Sequence, residues 1–282
     1  YLLAFIPTLV FSQDYPKDYF RAPLEIPLYL SGTFGELRTN HFHSGIDIKT
    51  DGREGQRVLA AADGVVSRIK VSAYGFGNAI YVVHPNGYTT VYAHLQRFND
   101  EIQKYIKEEQ YRQESFEVEI FPPASKFQVK KGQLIALSGN SGGSGGPHLH
   151  FEIRDTRTEK IINPLLFGFD VKDTKSPDLY SLEVYEFDGD ELVSSYTKNL
   201  LRFKDGSYAL AGNGVIEVTH APAFGISTFD KLDGAPNRNG VYRIEMSVNE
   251  HTYYDFEART FAFDESRYIN AHIDYAQKSC CR

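Results

Sequence analysis

The sequence predicts a mainly β protein with two domains, and three observations carry this prediction. Aromatic residues, which favour strands, make up 14% of the 282 residues, including 19 Tyr and 20 Phe. Between Ile26 and Leu166, short apolar runs alternate with Gly, Asn and Asp turns, which is typical of a compact antiparallel β-sheet domain. Beyond Asp173, further short runs are spaced as in a β-sandwich.

The chain begins with an apolar run, Tyr1 to Phe11, that is too short to span a bilayer as a typical helix. The run ends at the polar pair Ser12-Gln13 and has the composition of the apolar region of a secretory signal peptide. We therefore expect residues 1-13 to be the remnant of a signal peptide and the protein to be exported, with no stable membrane span in the mature chain. The alternative is a buried N-terminal strand, which Pro7 in the middle of the run disfavours.

The first domain is expected over residues 26-168. Within it, the runs Ile80 to Val83 and Tyr88 to Tyr92 flank the sequence His-Pro-Asn-Gly, which predicts a β-hairpin. Residues 99-127 break the strand pattern and are interpreted as a short helical insertion.

The insertion begins with a helix signature. Apolar residues Ile102, Tyr105 and Ile106 follow Asn99, a residue type that often caps helices, at the spacing of one helix face. A surface excursion is favoured for this insertion over a role in gating substrate.

The second domain is expected over residues 174-282, after a linker at Asp173 to Pro177. We expect this β-sandwich-like domain to be incomplete as given, since no clear closing strand precedes the end of the sequence. Cys280 and Cys281 are adjacent, so they cannot close a disulfide loop or form a metal knuckle. The predicted strands of this domain are Leu182 to Phe187, Val215 to Val218, Gly240 to Val248 and Tyr253 to Phe256.

Charge excludes one class of partner. The 30 basic and 37 acidic residues give a formal net charge of −7 and are interspersed along the chain. A phosphate-binding surface would show clustered Lys and Arg, so we expect no nucleic-acid partner.

Histidines and one aspartate form the motifs that carry chemistry. His148 and His150 are separated by one residue in a strand-like run, so both imidazoles point to the same side. The preceding Gly-rich stretch, 138–147, permits close approach of another backbone or a ligand, and it lacks the Gly-Lys-Ser/Thr ending of a phosphate-binding loop.

His43 and Asp47, four residues apart, form a second motif. An imidazole with a carboxylate suits Zn²⁺, although a His with an Asp partner taken alone is more often structural. The sequence contains neither HExxH nor HxxEH, which excludes the helix-borne zinc protease classes. Any metal must therefore be bound by residues from separate segments.

Taken together, the motifs between Leu30 and Leu166 resemble those of the M23 peptidases, the LytM or lysostaphin-type zinc endopeptidases. The matching segments are Phe34 to Arg38, His43-x-Gly-x-Asp47, Ala60 to Val66, Tyr92 to Leu95, Gly139 to Gly142 and Gly146 to Glu152. The resemblance implies a LytM-like peptidase domain that binds one Zn²⁺. It also implies that His43, Asp47 and His150 are the metal ligands and that His94 and His148 are the catalytic pair.

The implied function is hydrolysis of peptide cross-links in bacterial peptidoglycan by a zinc-activated water, with stem peptides as the substrate. Three protein ligands leave one zinc position open for a water, whose pKa falls from about 15.7 towards about 7. Either His94 or His148 could be the general base. We expect the protein to act in the periplasm, at the cell envelope or after secretion.

The alternative is a non-catalytic LytM-type protein that binds wall or activates other hydrolases, as do family members that have lost ligands. All five positions are filled here, which favours the enzyme. The C-terminal domain is expected to dock on wall or protein or to shield the cleft, and an adhesive main function has little support. His41 and Arg38 are ambiguous: each is either near the metal or substrate, or simply structural.

Overall fold

The computed structural model describes residues 15–212 and 214–275, and these residues form a mainly β structure, as predicted. The predicted signal segment 1-13 and the two cysteines lie outside the described residues. Up to residue 168 the elements are β1 (Leu30–Gly32), β2 (Ile46–Lys49), β3 (Arg57–Leu59), β4 (Gly64–Val71), β5 (Ala79–Val83), β6 (Tyr88–Ala93), β7 (Leu95–Phe98), α1 (Asp100–Gln113), β8 (Val118–Ile120), β9 (Gln128–Val129), β10 (Leu134–Ser138), β11 (His148–Asp155), β12 (Ile161–Ile162) and a 3₁₀ helix (Pro164–Phe167).

One large antiparallel sheet dominates this part of the chain, with the strand order β1-β2-β11-β6-β5-β4-β8. Strands β9 and β12 extend it beside β4 and β11, and a smaller sheet has the order β3-β10-β7. The predicted hairpin is confirmed as β5 and β6, with Val83 paired to Thr89 across the turn. Because β11 lies between β2 and β6, it faces His150 towards Asp47 on one side and Ala93 on the other.

The predicted helix is also confirmed. The side chain of Asn99 accepts a hydrogen bond from the backbone N–H of Ile102 at 3.0 Å, which satisfies one of the free N–H groups at the start of α1. Ile102 and Ile106 are buried in the main hydrophobic core, and Tyr105 packs against that core. The helix ends at Glu114, which adopts a left-handed conformation.

The C-terminal part is β-rich and antiparallel, as predicted. Strands β13 to β16 make a four-stranded antiparallel sheet, and β17 and β18 make a separate hairpin. The predicted strand at residues 215–218 is not a strand. The elements are β13 (Asp178–Asp188), β14 (Glu191–Arg202), β15 (Tyr208–Leu210), β16 (Ala221–Phe229), β17 (Arg243–Val248), β18 (His251–Glu257), β19 (Thr260–Phe261), a 3₁₀ helix (Glu265–Tyr268) and α2 (Ile269–His272).

The C-terminal part also contacts the N-terminal part. Strand β19 pairs with β12 and so joins the large sheet. Beside this pairing, Phe34, Ile161 and Ala258 form a small buried cluster. The Asn163 side chain donates a hydrogen bond to the Ala258 carbonyl at 2.9 Å. No helix in the described residues is long and apolar enough to cross a membrane.

Candidate metal centre

Three side chains from β2, β11 and the loop before β2 converge beside these two neighbouring strands of the large sheet. His43 Nε2 lies 3.0 Å from Asp47 Oδ1, His150 Nδ1 lies 2.9 Å from the same oxygen, and the two nitrogens are 3.1 Å apart. All three residues are buried. The structure thus brings together the three predicted metal ligands.

Hydrogen bonds on the far side of each ring orient the two ligand histidines. His43 Nδ1 lies 2.8 Å from the Thr33 carbonyl, and His150 Nε2 lies 3.0 Å from Glu152 Oε1. Since a carbonyl and a carboxylate only accept, each of these nitrogens carries the proton. When both rings are neutral, the lone pairs on His43 Nε2 and His150 Nδ1 face the same point.

Asp47 presents one oxygen to the histidines and the other to an arginine. Asp47 Oδ2 accepts a hydrogen bond from Arg38 at 3.0 Å, while Oδ1 faces His43 and His150. Although burial opposes it, the facing rings of His148, His150 and His43 hold the pKa of Asp47 far below its ordinary value. Asp47 is therefore ionised at neutral pH, and Arg38 has a role in holding it.

His150 lies between two carboxylates. Its burial favours the neutral ring, but hydrogen bonds to Asp47 and Glu152 outweigh burial and raise its pKa to about 9. In the absence of a metal this imidazole is therefore positively charged at neutral pH. A cation bound beside Asp47 would take the place of its Nδ1 proton.

His94 and His148 lie beside this group, with their ring centroids 4.7 Å apart. Each ring directs Nδ1 to a backbone carbonyl at 2.8 Å, His94 to Ser141 and His148 to Gly146. Each carbonyl fixes the proton on Nδ1 and leaves Nε2 as an acceptor. His148 Nε2 lies 3.5 Å from Asp47 Oδ1.

The backbone and environment of His94 are unusual. Its φ of 56° is in the left-handed region, which non-glycine residues rarely adopt and which recurs at functional sites. Burial, with the nearby charge of His150, lowers the pKa of His94 to about 4. His94 is thus a neutral imidazole across the physiological pH range.

Two glycines allow these segments to approach one another. A Cβ atom at Gly45 would overlap the Phe151 carbonyl and lie 3.0 Å from the His150 ring, so only glycine fits between His43 and Asp47. Gly142 packs against the backbone of Gly77 in the same way. The Gly-rich stretch therefore brings the Ser141 carbonyl to His94.

The donor set fits a divalent metal such as zinc. Two imidazole nitrogens and one carboxylate oxygen are typical zinc ligands, and bonds of about 2.0–2.2 Å in tetrahedral geometry place ligand atoms about 3.3–3.6 Å apart. The observed separations of 2.9–3.1 Å are a few tenths of an ångström shorter, so a small outward shift of the three side chains would admit the ion. Among the described residues, the group of acidic, His and Cys side chains that could hold a metal consists of these three, which leaves one tetrahedral position open.

The structure brings all five predicted site residues together. It also distinguishes the two residues whose role the sequence left open, Arg38 and His41. Arg38 pairs with Asp47, whereas His41 is exposed and contacts the Thr39 carbonyl. Sequence reasoning missed Glu152, which holds His150. The signal was present, since residues 148, 150 and 152 alternate onto one face of β11.

Comparisons with known proteins agree with this geometry. The family model described as "Peptidase family M23" matches residues 41–111 and 123–164. An uncharacterised metalloprotease of Haemophilus influenzae is 32% identical over 155 residues, covering 53% of this chain and 27% of that protein. The DD-carboxypeptidase/endopeptidase Mpg of Neisseria meningitidis is 34% identical over 118 residues, covering 42% and 21%.

A third relative is named as an activator of hydrolases and not as a peptidase. The murein hydrolase activator NlpD of Escherichia coli is 35% identical over 135 residues, covering 48% of this chain and 28% of that protein. The chain thus spans about a quarter of the length of these curated relatives. Among solved structures, the catalytic domain of lysostaphin from Staphylococcus simulans is 24% identical, with a TM-score of 0.37, covering 50% of this chain and 91% of that chain.

The family match includes His43, Asp47, His94, His148 and His150, the residues that converge in the structure. Over residues 41–111 and 123–164, the chain therefore matches the model of peptidase family M23.

Proposed function

We propose that the protein is an exported zinc endopeptidase that hydrolyses peptide cross-links of bacterial peptidoglycan. One observation carries the proposal: three metal-ligand atoms face one point, and two further histidines, each with Nδ1 held by a backbone carbonyl, lie beside them. The names of the relatives supply the substrate class, and a cell-envelope, periplasmic or secreted location follows from that substrate.

The residues have distinct tasks in this proposal. His43, Asp47 and His150 would hold one Zn²⁺, which supplies an acidified water and polarises the scissile carbonyl. His94 or His148 accepts the water proton on Nε2 and returns it to the departing amine. The carbonyls of Ser141 and Gly146 keep these rings in the required tautomer.

The division of the chain is part of the proposal. Residues 26-168 would form the peptidase domain, with 99-127 as an insertion, and residues 174-282 would form a second domain that docks on wall or protein. The contacts between β19 and β12 support a close association of the two parts.

A second candidate function is a non-catalytic activator of other wall hydrolases, and the 35% identity to the activator NlpD favours it. The two candidates differ in one observable. An activator leaves purified wall sacculi intact by itself and raises the rate of a partner hydrolase, whereas an endopeptidase releases muropeptides alone.

The test compares three substitutions in the purified chain. His150→Ala should lose both stoichiometric zinc and muropeptide release, while His148→Ala should keep zinc and lose release. His41→Ala, at an exposed position outside the site, is the matched control and should keep both. Full muropeptide release by His148→Ala would overturn the assignment of roles, and zinc binding without release by the unaltered chain would favour the activator.

A further inference from the structure

A buried chain of charged groups continues from the metal centre into the sheet. Glu152 is fully buried and accepts the hydrogen bond from His150 Nε2 with one carboxylate oxygen. Its other oxygen lies 2.7 Å from Arg154 Nε and 2.6 Å from Nη2 of the same guanidinium. Arg154 is itself only 3% exposed.

The surroundings of Arg154 come from both parts of the chain. Its guanidinium lies over the ring of Tyr81 at 5.3 Å and over the ring of Phe263 at 4.6 Å, and it contacts Glu159 at 3.2 Å. Tyr81 belongs to β5 of the large sheet, whereas Phe263 follows β19. Phe263, in the C-terminal part, thus lies over the guanidinium that binds Glu152. Glu152 in turn accepts the hydrogen bond from the predicted metal ligand His150.

Burial of the Glu152 and Arg154 charges destabilises the fold unless the two side chains are paired with each other. A buried carboxylate needs a paired cation and filled hydrogen-bonding positions, and removing one partner leaves an uncompensated charge. Arg154 meets this need with two nitrogens on one oxygen, which keeps the other oxygen directed at His150. Lysine would retain the charge but not this planar geometry.

We propose that Arg154 is a positioning residue for the metal ligand His150, acting through Glu152, and that Phe263 completes its site. Arg154 fixes the Glu152 carboxylate, Glu152 keeps the proton on His150 Nε2, and His150 Nδ1 is thereby presented to the metal. The inference rests on the proposed zinc site and adds a contribution of the C-terminal part to that site.

The test measures zinc affinity by chelator competition and the visible absorption spectrum of the Co²⁺-loaded protein. The unaltered chain is measured first, because failure to bind zinc would overturn the proposed function itself. In a chain that binds zinc, Arg154→Met should weaken zinc binding by about 10- to 100-fold, the usual effect of losing a partner that orients a metal ligand. Arg154→Lys should restore part of the affinity.

Phe263→Ala tests the contribution of the C-terminal part. Loss of one aromatic ring over a cation should weaken zinc binding by about 3- to 10-fold. The matched control is Phe121→Ala, which removes an exposed ring over Arg68 at 5.9 Å. Arg68 also lies over the ring of Tyr81, but it pairs with Glu119 and not with Glu152. Arg68→Met is therefore the control for Arg154→Met.

A double-mutant cycle separates positioning from general loss of stability. Glu152→Gln keeps an acceptor for His150 without the buried charge, so Glu152→Gln with Arg154→Met removes both charges and remains able to fold. If Arg154 acts through Glu152, the fold-loss of zinc affinity in the double variant is much smaller than the product of the fold-losses in the two single variants. The Co²⁺ spectrum should then change in the same way in the two single variants.

Multiplicative losses would overturn the inference, as would an Arg154→Met variant with the zinc affinity and Co²⁺ spectrum of the unaltered chain. Either result leaves the proposed zinc site standing. A Phe263→Ala variant that matches Phe121→Ala would overturn the part assigned to Phe263.

Discussion

At the level of single residues, each histidine ring of the metal centre directs one nitrogen to a hydrogen-bond acceptor. The acceptor fixes the proton on that nitrogen and leaves the other nitrogen facing the site. Backbone carbonyls accept a hydrogen bond from one ring nitrogen of His43, of His94 and of His148. His150 is held by a carboxylate instead, which stabilises a positive ring when no metal is present. His150 is therefore a ligand at which a proton competes with a metal.

This competition predicts a pH-dependent zinc affinity. His150 has a pKa of about 9 in the metal-free chain, because Asp47 and Glu152 hold its two N–H groups, so zinc must displace a proton below that pH. The affinity should rise about tenfold per pH unit from pH 7 to 9, with about one proton released near pH 7.5. Calorimetry in buffers of different ionisation enthalpy counts the protons, and release of none would contradict this pKa.

Gly45 gives a second prediction at this scale. Gly45→Ala places a methyl group against the Phe151 carbonyl and the His150 ring, so overpacking should lower the free energy of unfolding by about 1–3 kcal/mol and weaken zinc binding. Gly145→Ala is the matched control, because a Cβ there meets no atom within 4 Å. Denaturant unfolding measures both, and equal stabilities would show that the β2 and β11 segments can move apart.

At the level of elements, the cap of α1 is the clearest determinant of where the inserted helix begins. Asn99→Ala removes the hydrogen bond to Ile102 and a second one, donated by the Asn99 side chain to the Leu134 carbonyl at 3.1 Å. The free energy of unfolding should fall by about 1–2 kcal/mol. Lys104→Ala, on the exposed side of α1, should change it by less than about 0.5 kcal/mol, and a comparable loss there would argue against a specific effect of the cap.

The elements that were predictable from the sequence are those with a local cause. The hairpin of β5 and β6 follows from its turn residues, and α1 follows from a cap and a helical spacing. The metal residues were identified because their motifs resemble a family, whereas their convergence depends on β11 lying between β2 and β6. The pairing of β19 with β12 joins residues about a hundred positions apart and leaves no local signal. The same is true of Arg154, whose partners come from three segments.

At the level of the whole molecule, the C-terminal part contacts the loop that carries the predicted metal ligand His43. The ring of Phe42, next to His43, lies 6.1 Å from that of Phe256 and 5.7 Å from that of Phe261. The backbone N–H of Phe42 donates to Ser266 Oγ at 2.9 Å. These contacts hold the loop beside His43, whose Nε2 faces the Asp47 carboxylate.

Removal of residues 174–282 should therefore lower both the melting temperature and the zinc affinity of the remaining chain. The truncation exposes the apolar cluster of Phe34 and Ile161 and frees the loop of His43, and burying such surface contributes about 25 cal/mol per Å².

Phe261→Ala, which removes a ring 5.0 Å from that of Phe34, should produce part of the same loss in the complete chain. Tyr253→Ala is the control, because this tyrosine is 65% exposed on the neighbouring hairpin. Thermal unfolding with and without zinc measures all three. A truncated chain that melts at the same temperature and releases muropeptides faster would instead identify the C-terminal part as a shield over the cleft.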